Sequence, residues 1–98
     1  MDRQQIIDRL RENEHVLRQR GVAHAALFGS RARGDARADS DIDIMIEIDP
    51  SCSMGVFEYV GVVQSIEDMF PVRVDVADRT QLKPHVRPTA EREAVYAF

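Results

Sequence analysis

Two aspartates separated by one residue open the most regular alternating segment of the chain. Asp41 and Asp43 begin the run DIDIMIEI, in which isoleucine occupies every second position. Because successive side chains of a strand point to opposite faces, this pattern predicts a strand over residues 41–48, with isoleucines on one face and carboxylates on the other. Carboxylates two residues apart lie about 7 Å apart at their Cα atoms and can converge on a pair of hard cations. The sequence therefore predicts a metal-binding strand.

A glycine–serine pair stands shortly before these aspartates. Gly29 and Ser30 follow the apolar run AALF, so we expect a strand end, a turn glycine and a short helix that is N-capped by Ser30 and ends at Gly34. The start of a helix offers free N–H groups and a positive dipole end, which favour phosphate, and glycine allows the phosphate to approach closely. Arg31 and Arg33 add positive charge, and we expect Arg31 to contact the phosphate.

A third aspartate lies in a later alternating segment. The run VRVDV, residues 72–76, predicts a strand with valines on one face and Asp75 on the other. The segment before it is long enough for a helical crossover, so this strand is expected to run parallel to the first, with Asp75 on the side of Asp41 and Asp43. A single exposed strand aspartate is usually a solubility feature. Beside the upstream pair it becomes a candidate site residue.

Together these residues resemble the signature of the DNA polymerase β-like nucleotidyltransferase superfamily. That signature is Gly-Ser, ten residues and Asp-x-Asp, and here Gly29 and Ser30 precede residues 31–40, Asp41 and Asp43. The closest likeness is to the minimal nucleotidyltransferases (MNT), which are paired with HEPN toxins in prokaryotes, and it weakens after residue 82. The resemblance implies an α/β (α+β) nucleotidyltransferase fold, in which a mixed sheet of three or four strands carries helices mainly on one face. It also implies two Mg²⁺ ions held by three catalytic residues, and ATP held by three others. The metal ligands would be Asp41, Asp43 and Asp75, and the nucleotide-binding residues Gly29, Ser30 and Arg31.

The same resemblance implies what the protein does. It would be an antitoxin that transfers AMP from ATP to a tyrosine hydroxyl of a HEPN-type toxin, an RNase, and thereby neutralises it. Two alternatives stay open: a non-catalytic antitoxin that acts by binding alone, and a dimeric nucleotidyltransferase that modifies a small molecule. A P-loop is excluded, because Asp35 and Ala36 follow the second glycine where a P-loop needs Lys and Ser or Thr.

Composition bounds the remaining choices. The 98 residues, 44% hydrophobic and 31% charged, predict one domain, residues 1–98, without a separate acceptor domain. The net charge of −4 argues against direct binding of nucleic acid, whose partners are usually basic. The single cysteine, Cys52, excludes an internal disulfide and fits a reducing cytosol. No segment resembles a signal peptide or a membrane span, so we expect a cytoplasmic protein without a membrane partner.

The other elements follow from hydrophobic periodicity. It predicts an amphipathic helix over residues 2–20, a strand over 22–28 and a helix over 54–69. Near the end, Thr89 is expected to cap a short helix, and residues 94–98 either finish that helix or form an edge strand. The two long helices are expected to cover the isoleucine face, which leaves the carboxylate face open.

Overall fold

The computed structural model describes residues 1–98 and contains a four-stranded mixed sheet in the order β3-β2-β1-β4. The strands are β1 (Val22–Phe28), β2 (Ile42–Ile48), β3 (Val74–Asp78) and β4 (Val95–Tyr96). The helices are α1 (Arg3–Glu12), α2 (Glu14–Gln19), α3 (Ser30–Arg33), α4 (Val56–Glu67) and α5 (Arg87–Glu93), with a 3₁₀ turn at Arg79–Gln81. β2 pairs antiparallel with β1 and parallel with β3. The predicted mixed sheet and the helical crossover between parallel strands are therefore confirmed.

The isoleucine face of β2 forms the floor of the hydrophobic core. Ile42, Ile44 and Ile46 have no exposed surface and belong to one buried cluster with apolar residues of α1, α2 and α4. Those helical residues are Ile6, Ile7, Leu10, Leu17, Val62 and Ile66. Burial of each such side chain contributes about 1.5–3 kcal/mol. The alternation of isoleucine in the sequence therefore determines which face of the sheet becomes the core.

The N-terminal helix is interrupted, contrary to the prediction of one helix over residues 2–20. Asp2 caps α1 by accepting from the Gln5 N–H at 2.8 Å, and the Gln5 side chain accepts from the Asp2 N–H. α1 ends at Glu12, and the side-chain amide of its C-cap residue Asn13 donates to the carbonyl of Arg9 at 2.8 Å. Asparagine disrupts helices in this way because its side chain competes for backbone groups.

The carboxylate face is only partly open, so the expectation of an open face was wrong for the half away from Asp43. Met45 is 1% exposed; α5 packs against the neighbouring strand β1 with Ala90 buried, and the 3₁₀ turn contacts β2 itself. Further along β2, Glu47 accepts from Arg79 at 2.9 Å. The physical reason is the C-terminal segment, whose helix covers apolar surface that the rest of the chain leaves exposed.

Several boundaries differ from the sequence-based prediction. α5 is capped at Val86 rather than Thr89, which lies within the helix. β3 begins at residue 74 rather than 72, and residues 95–96 form the edge strand of the two alternatives, paired with β1. None of the helices has the length and apolar character needed to cross a bilayer.

Candidate active site

Three neighbouring strands place Phe28, Asp43 and Asp75 side by side across the sheet. Asp43 of β2 lies opposite Phe28 of β1 on one side and opposite Asp75 of β3 on the other. Cross-strand partners share a face of the sheet, so Phe28, Asp43 and Asp75 point to the same side. Asp41, two residues before Asp43, also faces this side. The structure thus brings Asp41 and Asp43 of the sequence signature together with Asp75 at the open end of the face; we call these three aspartates the carboxylate row.

Asp43 is the half-buried member of the carboxylate row, whereas Asp41 and Asp75 are exposed. Burial raises the pKa of Asp43, the negative charges of Asp75 and then Asp41 raise it further, and the charge of Arg33 acts in the opposite direction. Crowded carboxylates of this kind repel one another unless a cation lies between them. The electrostatics of the row therefore suit a bound cation.

Gly29 joins the carboxylate row to the start of α3. Its backbone has φ +76° and ψ −156°, a conformation that only glycine adopts readily. A Cβ placed on Gly29 would overlap Oδ2 of Asp43 and lie 3.1 Å from its Cγ. The missing side chain therefore allows the Asp43 carboxylate to lie against the backbone where α3 begins.

The structure corrects the prediction that Ser30 caps this helix. Gly29 is the N-cap, Ser30 is the first helical residue, and no side-chain capping hydrogen bond forms. α3 is a single turn, because Gly34 ends it in the left-handed conformation. The first N–H groups of a helix have no intrahelical partner. Backbone donors thus lie directly beside the carboxylate row.

Arg31 does not lie among the carboxylates. Its side chain is buried, and its guanidinium donates to the carbonyls of Met1 at 2.8 Å, Ala38 at 3.1 Å and Ser40 at 2.7 Å. Its Nε is buried without a hydrogen-bond partner. These contacts tie the loop between α3 and β2 to the N-terminus. Arg31 therefore holds the segment that leads into Asp41, and the geometry does not direct it at a phosphate near Gly29.

Arg33 is the cation that the structure places near Asp43. Its guanidinium donates to Asp35 at 3.1 Å and to Glu93 of α5 at 3.0 Å, and it remains about half exposed. The sequence predicts positive charge from both Arg31 and Arg33, with Arg31 as the expected phosphate contact. Residues two apart in a helix point about 200° away from each other, so only one of the two arginines can face the site. The sequence alone could not decide which one.

The fit of the carboxylate row to metal ions is decided by its donor chemistry. As they stand, no three acidic, histidine or cysteine side chains are arranged to enclose an ion. Nε of Arg73 lies 3.8 Å from the Asp41 carboxylate, an exposed ion pair that is weak enough for a bound cation to compete with it. The row nevertheless offers carboxylate oxygens alone, which are the ligands that Mg²⁺ prefers. Together with the mutual repulsion at Asp43, this donor set fits a hard divalent cation.

The fold and this site define a class of protein. Carboxylates on adjacent strands, beside a glycine-led helix start and one arginine, can hold metal ions and the phosphates of a nucleotide together. The family model described as "Nucleotidyltransferase domain" matches residues 4–97. The chain belongs to this nucleotidyltransferase family, as the sequence signature predicted.

Individual relatives agree with this assignment. The protein adenylyltransferase MntA of Thermococcus cleftensis is 33% identical over 88 residues, which cover 89% of this chain and 87% of the relative. A solved structure assigned as a minimal nucleotidyltransferase has a TM-score of 0.79 and 28% identity, covering 97% of this chain and 95% of the other. The same fold occurs at a TM-score of 0.60 and 18% identity in a complex of a tri-AMPylated Shewanella oneidensis HEPN toxin with its MNT antitoxin, covering 91% of this chain and 70% of that one.

Proposed function

We propose that the protein is a Mg²⁺-dependent adenylyltransferase antitoxin that transfers AMP from ATP to a tyrosine hydroxyl of a HEPN-type toxin. The observation that carries the proposal is the carboxylate row next to the start of α3, where three ligands for cations adjoin donors for phosphate. The similarity to a protein adenylyltransferase and to the antitoxin of a HEPN complex supports the acceptor class. The cytoplasm is the proposed compartment.

The carboxylate row would hold two Mg²⁺ ions, which when bound neutralise the charge of the triphosphate. The backbone of Gly29 and Ser30 binds the β- and γ-phosphates through its N–H groups, and Arg33 adds a cation beside them. Arg31 has a supporting role, because its buried guanidinium fixes the loop that positions Asp41. The row and α3 together orient the α-phosphate for attack.

The acceptor approaches from the side of Asp75, since β3 is an edge strand and Asp75 is exposed. The tyrosine oxygen forms a bond to the α-phosphorus while the bond to the bridging oxygen breaks, and pyrophosphate leaves toward Gly29 and Arg33. Asp75 accepts a hydrogen bond from the tyrosine hydroxyl and assists the loss of its proton to solvent.

A protein partner fits the surface of this small domain. Asp75 lines none of the cavities of the structure, so a partner must supply the alignment on which much of the rate depends. On α4, large apolar side chains remain exposed: Val56 by 77%, Phe57 by 91% and Val60 by 57%. Exposed apolar patches are typical of protein interfaces. These residues support a stable complex with a HEPN-type helical protein.

One incubation of the protein with labelled ATP, Mg²⁺ and the proposed HEPN-type toxin tests the proposal. Label on the toxin, lost in Asp43→Asn, is expected. Asp39→Asn is the matched control, because it removes an exposed carboxylate outside the carboxylate row and should retain full labelling. Inhibition of the toxin without label would instead establish an antitoxin that acts by binding alone. Label on a small hydroxylated compound, and not on the toxin, would establish a small-molecule transferase.

A further inference from the structure

A groove beside Gly29 and the start of α3 takes no part in the proposed transfer step. Its volume is about 320 Å³, and it lies between the end of β1, α3 and α5, on the same face as the carboxylate row. Gly29 and Arg33 form its inner end, next to the place proposed for the phosphates. Its size is at the lower end of the range of about 300–1,000 Å³ for small-molecule sites. The groove is therefore large enough for a compact ligand but not for a folded partner segment.

The lining of this groove suits a flat aromatic ring. Phe28 supplies an aromatic side chain from β1, and Val86 and Ala90 supply aliphatic surface from α5 and its N-cap. His85 and Thr89 place polar groups at the exposed rim. Nucleobases are bound in such settings, by stacking on an aromatic side chain with a few polar groups at the ring edge.

The position of the groove identifies the donor nucleotide as its occupant. In an in-line displacement the acceptor and the leaving pyrophosphate lie on opposite sides of the α-phosphorus. Gly29 and Arg33 place the pyrophosphate at the β1 side of the row, and Asp75 places the acceptor at the β3 side. The groove adjoins Gly29 and is separated from Asp75 by β2. The groove therefore lies away from the acceptor, beside the residues proposed to hold the phosphates of the donor.

A larger cavity is less suited to this role. It has a volume of about 570 Å³ and lies between α3 and the start of α1, behind Arg31. Two of its four arginines, Arg3 and Arg31, already donate to backbone carbonyls, and neither Gly29 nor an aromatic side chain lines it. The smaller groove is thus the better candidate.

We propose that the groove between β1 and α5, which we call the base groove, binds the purine base of the donor nucleotide between Phe28 and Val86. This inference rests on the proposed nucleotidyl transfer and adds a binding site for the base of the donor. α5 then has two functions: it covers the apolar half of the carboxylate face, and it forms one wall of the base groove.

Filling the base groove tests the proposal. Val86→Trp introduces a large side chain at a position that is 36% exposed, and Thr89→Trp fills the groove from the next turn of α5. Binding of a fluorescent ATP analogue and of inorganic tripolyphosphate is measured in Mg²⁺ for each variant. We expect ATP affinity to fall about 5- to 150-fold, the range for loss of one stacked base, and tripolyphosphate affinity to change less than about twofold.

The control is Val16→Trp, which adds the same side chain at an exposed position of α2 outside the site and the α4 surface and should leave both affinities unchanged. Circular dichroism confirms that each variant is folded; if Val86→Trp is not, Thr89→Trp provides the comparison. If a folded Val86→Trp or Thr89→Trp variant binds ATP as tightly as wild type, the groove does not bind the base. If that variant also loses transfer, the groove belongs to the acceptor. Failure of the wild type to bind either ligand would overturn the proposed function itself.

Discussion

Gly29→Ala should damage both the fold and the carboxylate row. Alanine at φ +76°, ψ −156° is strained by about 1–3 kcal/mol, and its Cβ would overlap the Asp43 carboxylate. Turning Asp43 out of its rotamer costs a further 0.5–1.5 kcal/mol or so. We expect the free energy of unfolding to fall by about 1.5–4.5 kcal/mol, with a loss of Mg²⁺-dependent nucleotide binding.

Gly34→Ala is the matched control. Gly34 also has a positive φ, +85°, but a Cβ there would meet no atom within 4 Å. This variant should lose only about 1–2 kcal/mol through backbone strain and should retain nucleotide binding. Urea unfolding followed by circular dichroism measures the stability, and titration with a fluorescent ATP analogue measures the binding. Equal losses of stability in both variants, or intact nucleotide binding in Gly29→Ala, would refute the contact between Gly29 and Asp43 as the link between the two halves of the site.

Three further predictions concern the charged groups around the site. Burial and its two acidic neighbours raise the pKa of Asp43. The folded state therefore binds the proton of the Asp43 carboxyl more tightly than the unfolded state does. Metal-free wild type loses stability as the pH rises through the pKa of Asp43 in the folded protein. Asp43→Asn should therefore unfold at higher urea than wild type at neutral pH without metal, with the difference narrowing toward acid pH; a constant difference would contradict this. Glu93→Gln releases Arg33 from its ion pair and should tighten ATP binding up to about fivefold by calorimetry, and unchanged or weaker binding would contradict the role of Arg33. Arg31→Met removes three hydrogen bonds of a buried guanidinium and should lower the free energy of unfolding in urea by about 3 kcal/mol. Arg33→Met should instead weaken ATP binding and leave stability nearly unchanged. Weaker ATP binding in Arg31→Met together with lower stability in Arg33→Met would make Arg31 the phosphate contact.

Local patterns in the sequence were sufficient to predict the sheet and the placement of the aspartates. The alternation of isoleucine with acidic residues in β2 leaves one way to bury the apolar face, and any one-residue shift would expose it. The long segment before β3 made a parallel crossover the simplest connection, which places Asp75 opposite Asp43. These inferences depend on periodicity and chain length, both of which are visible without a structure.

The features that the sequence did not predict depend on contacts between distant segments. α5 has no strong hydrophobic period, so its packing against β1 could not be foreseen, and the base groove that it forms could not be foreseen either. The choice between Arg31 and Arg33 depended on the direction of a single helical turn. A one-turn helix has too few residues for its exposed side to be inferred from periodicity. The break at Asn13 arose from one side-chain hydrogen bond, which helix propensities alone do not determine.

The intact mass of the HEPN-type partner, purified after co-expression with this protein, tests the central claim most directly. With wild type, the partner should gain mass in whole AMP units, and peptide mapping should locate them on a tyrosine. With Asp43→Asn, the partner should co-purify without the added mass, because the carboxylate row is broken while the exposed surface of α4 is unchanged. A partner that is fully inhibited by wild type at its unmodified mass would contradict the account and establish an antitoxin that acts by binding alone.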